Sequence, residues 1–167
     1  MSKPLPAKSY KALLDRELDL SCWRGALVAD GDWITDGRIM FSLCHVIGPY
    51  IKRAEKLSLN KAKDDRTRGQ EEADRLWDAT EAAEMGRAAE LGWLRETITI
   101  SGKKRMLLDI MYLQRNDLVL PLLADYVRLL KSFVDYDEVR ISTRRDRPAG
   151  FYRHGELVAI CTPLALP

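Results

Sequence analysis

The chain has 167 residues, 46% of them hydrophobic and 31% charged, with a formal net charge of +2. That length gives room for one domain with one sizeable core, and the composition is that of a globule, which excludes disordered and collagen-like classes. A net charge so near zero neither calls for nor excludes nucleic acid, and the longest apolar runs are too short to span a bilayer.

The opening MSKPLPAKSYK lacks the apolar core of a secretory leader. Cys22, Cys44 and Cys161 stand far apart in apolar contexts, with no CxxC. They read as reduced, buried small hydrophobes, and the expectation is a cytoplasmic protein without membrane contact. Residues 10–18 read as a helix capped by Ser9, with Tyr10, Leu13, Leu14 and Leu18 at helical spacing. Strands are expected over 21–29, 32–35 and 38–43, with Asp30-Gly31 and Asp36-Gly37 as hairpin turns. Ile39 and Phe41 would point one way, Met40 and Ser42 the other.

Gly48-Pro49 ends that block. Residues 50–93 read as a helical insert: a short helix over 50–57, a polar stretch over 58–70, and a stronger helix over 71–91 stopped by Gly92. Leu76, Thr80 and Ala83 share a face of the second helix, and Met85, Ala88 and Ala89 continue a narrow stripe. Strands return over 96–101 and 105–109, followed by a turn of helix at Tyr112-Leu113. Pro121 suits the first turn of a helix running to Lys131, with Leu122, Tyr126, Leu129 and Leu130 as its buried face. The end reads as a meander, with strands over 138–143, 150–153 and 156–162 and a His154-Gly155 turn. Val139, Ile141, Val158 and Ile160 would face the core. Strand runs and helices that do not alternate one for one point to an α+β fold of antiparallel sheets.

Helix followed by SCWRGALVADGDWITDGRIMF, with Thr35-Asp36 entering the last strand, resembles the start of a DNA sliding-clamp domain of the bacterial polymerase β-subunit type. At the other end Tyr112-Leu113, DEVRIS, RPAGFYR and GELVAICTPLAL resemble the last clamp domain, with Thr162-Pro163 before Leu164 and Leu166. The resemblance implies a clamp-like α+β domain over residues 1–167, with two packing helices and the helical insert at about 50–93 interrupting it. Clamp subunits carry several such domains, whereas this chain has room for one, as a phage-encoded single-domain relative would. Clamp helices facing DNA are basic, whereas the helix ending at Lys131 carries Arg128 and Lys131 against Asp125.

No GxSxG, P-loop, HExxH or dinucleotide fingerprint occurs. No catalytic residue, metal ligand set or cofactor is therefore expected, and His154 reads as a turn residue. Lys103, Lys104 and Arg105 at a hairpin and Arg144, Arg145 and Arg147 in a loop are candidates for phosphate contact, or they keep strand edges soluble. Trp77 and Trp93 either pin the insert to the sheet or form a protein-binding hot spot, and Arg75, Glu81 and Arg87 are left for a partner. The expected function is protein–protein contact without enzymatic activity, with a host replication, repair or defence complex as partner in a phage or prophage setting. The alternative is a DNA-associated, self-assembling processivity or accessory factor, which calls for nucleic acid and a homo-oligomer.

Overall fold

The computed structural model describes residues 28–30, 33–35, 38–48, 66–100 and 104–164. The expected helices over 10–18 and 50–57, the start of the first strand, Cys22, Lys103 and both Asp-Gly turns lie outside them. Strands β1 (Val28–Asp30), β2 (Trp33–Thr35) and β3 (Ile39–Ser42) pair antiparallel in sequence order. A 3-10 turn, Leu43–His45, follows. Helix α1 spans Arg66–Ala82. Strand β4 (Gly86–Arg87) leads into the long β5 (Ala89–Ile100), which pairs with β6 (Lys104–Arg115), and β6 pairs with β7 (Leu118–Leu123). Helix α2 is Ala124–Val134. Strands β8 (Glu138–Ile141), β9 (Ala149–Arg153) and β10 (Glu156–Cys161) close the chain.

These strands form two antiparallel sheets, so the α+β class holds. One has the order β1-β2-β3-β10-β9-β8-β4, the other β5-β6-β7. The sheets meet at two corners. At one, Ala88 N–H donates to Val139 O while the next residue, Ala89, already pairs with Gln114 of β6. At the other, the segment after β10 reaches β7, where Leu164 N–H donates to Pro121 O. Strands that change sheets in this way make the corners of a curved β structure.

Helix α2 lies inside that curve. Nine of its 11 residues are buried. Phe133 meets Phe41 of β3 at a ring separation of 5.5 Å. The carbonyls left over at its C-terminus are met: Ile47 N–H donates to Phe133 O at 2.8 Å, and Arg153 donates to Val134 O at 2.7 Å. The period of two in the seven-stranded sheet separates two cores. Ile39, Phe41, Phe151 and Val158 join the α2 side, while Met40, Tyr152, Leu157 and Ile160 join Trp77 of α1 on the other. A bulge between Leu157 and Ala159 shifts the parity of β10, so Val158 and Ile160, expected to share a face, do not.

Further expectations about the elements are corrected. The helix expected over 71–91 begins at Arg66 and stops at Ala82, and residues 86–87 and 89–93 of the expected helical insert belong to β4 and β5. The open edge of β8 draws Gly86 and Arg87 into pairing, and tertiary pairing overrides the helix propensity of the alanines. The Arg115 guanidinium, which donates to Ile141 O, lies where a Cβ on residue 86 would stand, so a larger residue there would push that side chain aside. Gly92, expected as a helix stop, has φ of +121° at a bulge in β5. Tyr112 and Leu113 lie in the middle of β6, and Pro121 lies in β7 rather than in the helix, on an edge where its missing N–H costs no ladder bond. Among the described residues no helix is long and apolar enough to cross a membrane.

Candidate functional site

Only Arg128 and Lys131, one turn apart, keep α2 from complete burial. Among the described residues they mark a side where the β wrap around the helix opens. A cleft of about 450 Å3 sits there, walled by Arg87 of β4, Glu90 and Trp93 of β5, Met111 of β6, and Tyr136 and Glu138 after the helix.

Its charges are held in pairs. The Arg128 guanidinium lies 4.2 Å from the centre of the Trp93 ring. It donates to Asp125 Oδ1 at 2.9 Å and stands 3.6 Å from Asp109. Asp109 also accepts from Arg95 Nε at 2.8 Å. That hydrogen bond holds the Asp109 carboxyl below the usual carboxylate range, with desolvation opposing it. Lys131 pairs with Asp135 at 3.2 Å, donates to Tyr136 O and covers the Tyr136 ring. Glu138 accepts from Arg140 at 2.9 Å and from Arg87 at 3.2 Å. The Arg140 bond is the main cause of its lowered pKa, partial desolvation opposes it, and Arg87 adds to it. The Tyr136 hydroxyl points at Glu90 Oε1, 3.4 Å away, and its pKa is raised far above the usual phenol range, first by burial and then by the Glu90 charge. The result is an aromatic floor with fixed ion pairs around it, suited to holding a ligand surface in one orientation.

Beside the cleft, β5 shows apolar side chains to solvent: Leu91 is 54%, Trp93 40% and Leu94 57% exposed. The bulge at Gly92 sets this run off from the regular ladder. On the far side of β6, the Tyr112 hydroxyl donates to Glu96 at 2.9 Å. Tyr112 pairs with Gly92, four residues from Glu96, so its ring leans along the strand.

The expected partner residues are split. Trp77 is buried, stacked beside His45 with ring centres 6.3 Å apart, and it pins α1 to the sheet. Arg75 and Glu81 are exposed on α1, across the seven-stranded sheet from α2. Arg87 and Trp93 stand on strands, not on a helix, and the cleft brings them together. Lys104 and Arg105 begin β6 in one sheet, while Arg144, Arg145 and Arg147 lie exposed between β8 and β9 in the other. Arg144 is tied to Asp146 at 3.0 and 2.6 Å.

His154 stands in the β9–β10 turn with φ of 52°, and its N–H donates to Asp137 at 3.0 Å. Cys161 is buried, but Cys44 is exposed, contrary to expectation, with its Sγ 3.0 Å from Ser42 Oγ. Next to it His45 Nε2 lies 3.0 Å from Glu156 Oε1, and that hydrogen bond lowers the Glu156 pKa. Sequence reasoning missed Glu90, Tyr136 and Glu138. The signal for the opening was Arg128 and Lys131, two cations one turn apart on a helix otherwise apolar enough to be buried all round. Comparison of the chain with known protein families, curated proteins and solved structures finds no match.

Proposed function

We propose that the protein works by binding another protein, without enzymatic chemistry, and that β5 and the rim of the cleft make the contact. The observation that carries this reading is the joint exposure of Leu91, Trp93 and Leu94 within four positions of an edge strand. Large apolar side chains grouped on an edge are a hazard that native chains normally cover, and a partner covers them here. Arg128 already holds the Trp93 ring, so little ordering entropy is lost when that indole becomes an anchor. Leu94→Lys is expected to abolish partner capture at physiological salt while leaving the thermal midpoint unchanged. Equal capture by the wild type and the folded variant would move the contact surface elsewhere.

A second reading, a clamp-like DNA accessory factor, draws on the exposed Arg144, Arg145 and Arg147. Replacing Arg145 and Arg147 by Glu is expected to remove any salt-dependent retention on DNA. Retention unchanged by that double substitution would exclude this loop.

A further inference from the structure

We infer that β5 pairs with β5 of a second copy, antiparallel across a two-fold axis, with Leu94 facing the partner's Leu94. This rests on the protein-binding reading above and names the occupant of that surface. Strand β5 has 12 residues and, among the described strands, pairs with β6 alone in its sheet. Its corner ties to β8 end at Ala88, so the edge from Leu91 onward is clear of that sheet. An edge of this length is a template for another strand, and identical strands pair through one self-complementary patch.

The residues on β5 select the register. Residues facing one another across an antiparallel pair point to the same side, so a two-fold pair places one residue opposite its own copy. Centring on Arg95 or on Glu96 would set like charges face to face, which is destabilising. Centring on Trp93 would put Arg95 against the bulge at Leu91 and Gly92, where no regular partner stands. Centring beyond Glu96 would leave Leu91 and Trp93 at the end of the ladder or outside it.

Centring on Leu94 satisfies all of these. It buries Leu94 against the partner's Leu94 on one face. On the other it puts Trp93 against the partner's Arg95, twice by symmetry. Arg95 is 67% exposed in its side chain and donates to Asp109 from Nε at 2.8 Å and from Nη2 at 3.5 Å, which leaves the face of its guanidinium for the partner's indole. Arg128 holds one face of Trp93, leaving the other for the partner's guanidinium. The regular ladder then runs between Trp93 and Arg95 of the two copies, all of them exposed, with the bulge at Leu91 and Gly92 beyond it at each end.

Charge exchange at the axis tests this register. Sedimentation of the wild type is expected to show a monomer–dimer equilibrium. L94K and L94E, each of which places like charges opposite one another, should weaken it at least about tenfold. Mixing the L94K chain with the L94E chain should restore a dimer holding one of each. Leu94 is exposed in the single chain, so both variants should keep the thermal midpoint that the wild type shows at concentrations where it is monomeric. A dimer that survives L94K unchanged, or a mixture that stays monomeric, would overturn the register. A wild type that is monomeric at every concentration would overturn self-pairing. The wider protein-binding reading would still stand in that case if the monomer captured a different protein through Leu94, and it would fall if it did not.

Discussion

Glu138 carries two arginines at once, Arg140 at 2.9 Å and Arg87 at 3.2 Å, and so joins the short β4 to β8 by side chains as well as by backbone. Its pKa is lowered in the folded protein. A depressed carboxylate contributes stability that is fully present above its unfolded pKa and is lost as pH falls through the folded one. Glu138→Gln should therefore destabilise the protein near neutrality by about 1 kcal/mol, a modest figure because Arg87 is largely exposed. In acid, below the folded pKa, variant and wild type should converge. Urea unfolding at both pH values checks this, and a gap that persists in acid would mean that the side chain acts through packing instead. Gly92 makes a second case at this scale. Its φ of +121° is open to glycine, and no atom lies within 4 Å of an added Cβ. Gly92→Ala should thus lose about 1–3 kcal/mol through backbone strain alone. An unchanged urea midpoint would show that the bulge relaxes.

Among the described side chains of helix α1, Trp77 and Thr80 are the buried ones. Trp77 is buried against Met40, Tyr152, Leu157 and Ile160, with Leu76 partly buried beside it, while Arg75, Asp78 and Glu81 stay wet. Trp77→Ala should cost about 3 kcal/mol, whereas Arg75→Ala and Glu81→Ala should stay within about 0.5 kcal/mol of wild type. Equal thermal midpoints for the Trp77 and Arg75 variants would contradict this docking. The same contrast explains what could be read from sequence. The β8–β10 meander was legible because polar turns bound it and the His154-Gly155 turn has positive φ at both residues, 52° and 80°. The stretch from Ala83 to Leu123 was legible only in part: the strands expected over 96–101 and 105–109 fall on β5 and β6, but their full length and β7 did not show. Its strands bury residues on both faces, so β6 shows no period of two, and its alanines favour a helix until β8 claims them. Asn116, with φ of 53° between Arg115 and Leu118, was the overlooked hairpin signal that would have made Tyr112 and Leu113 strand residues. The cleft was hidden for another reason. Its walls come from four separate stretches of chain, and only the corner at Ala88 brings Arg87 and Trp93 over α2.

At the scale of the molecule, the sheets close around α2 through the corners at Ala88 and Leu164, and α1 lies outside that closure. The two helices should therefore differ in stability rather than melt together. Buried α2 touches β6, β7 and β10, so opening it means separating both sheets, which is global unfolding. Among the described side chains, opening α1 exposes Trp77, Thr80 and the narrow apolar patch beneath them. Native-state hydrogen exchange should find α2 amides protected to the full unfolding free energy and α1 amides well below it. Leu130→Ala leaves a cavity at a fully buried position and should cost about 2–5 kcal/mol, lowering protection in α2 and in both sheets by the same amount. Protection in α1 should hardly change until the global free energy falls to that of its local opening. Exchange in α1 that tracks α2 residue for residue would show that the tie through Trp77 is as strong as the closure itself. The seven-stranded sheet would then be a shared wall between two equal layers rather than part of a wrap around one helix.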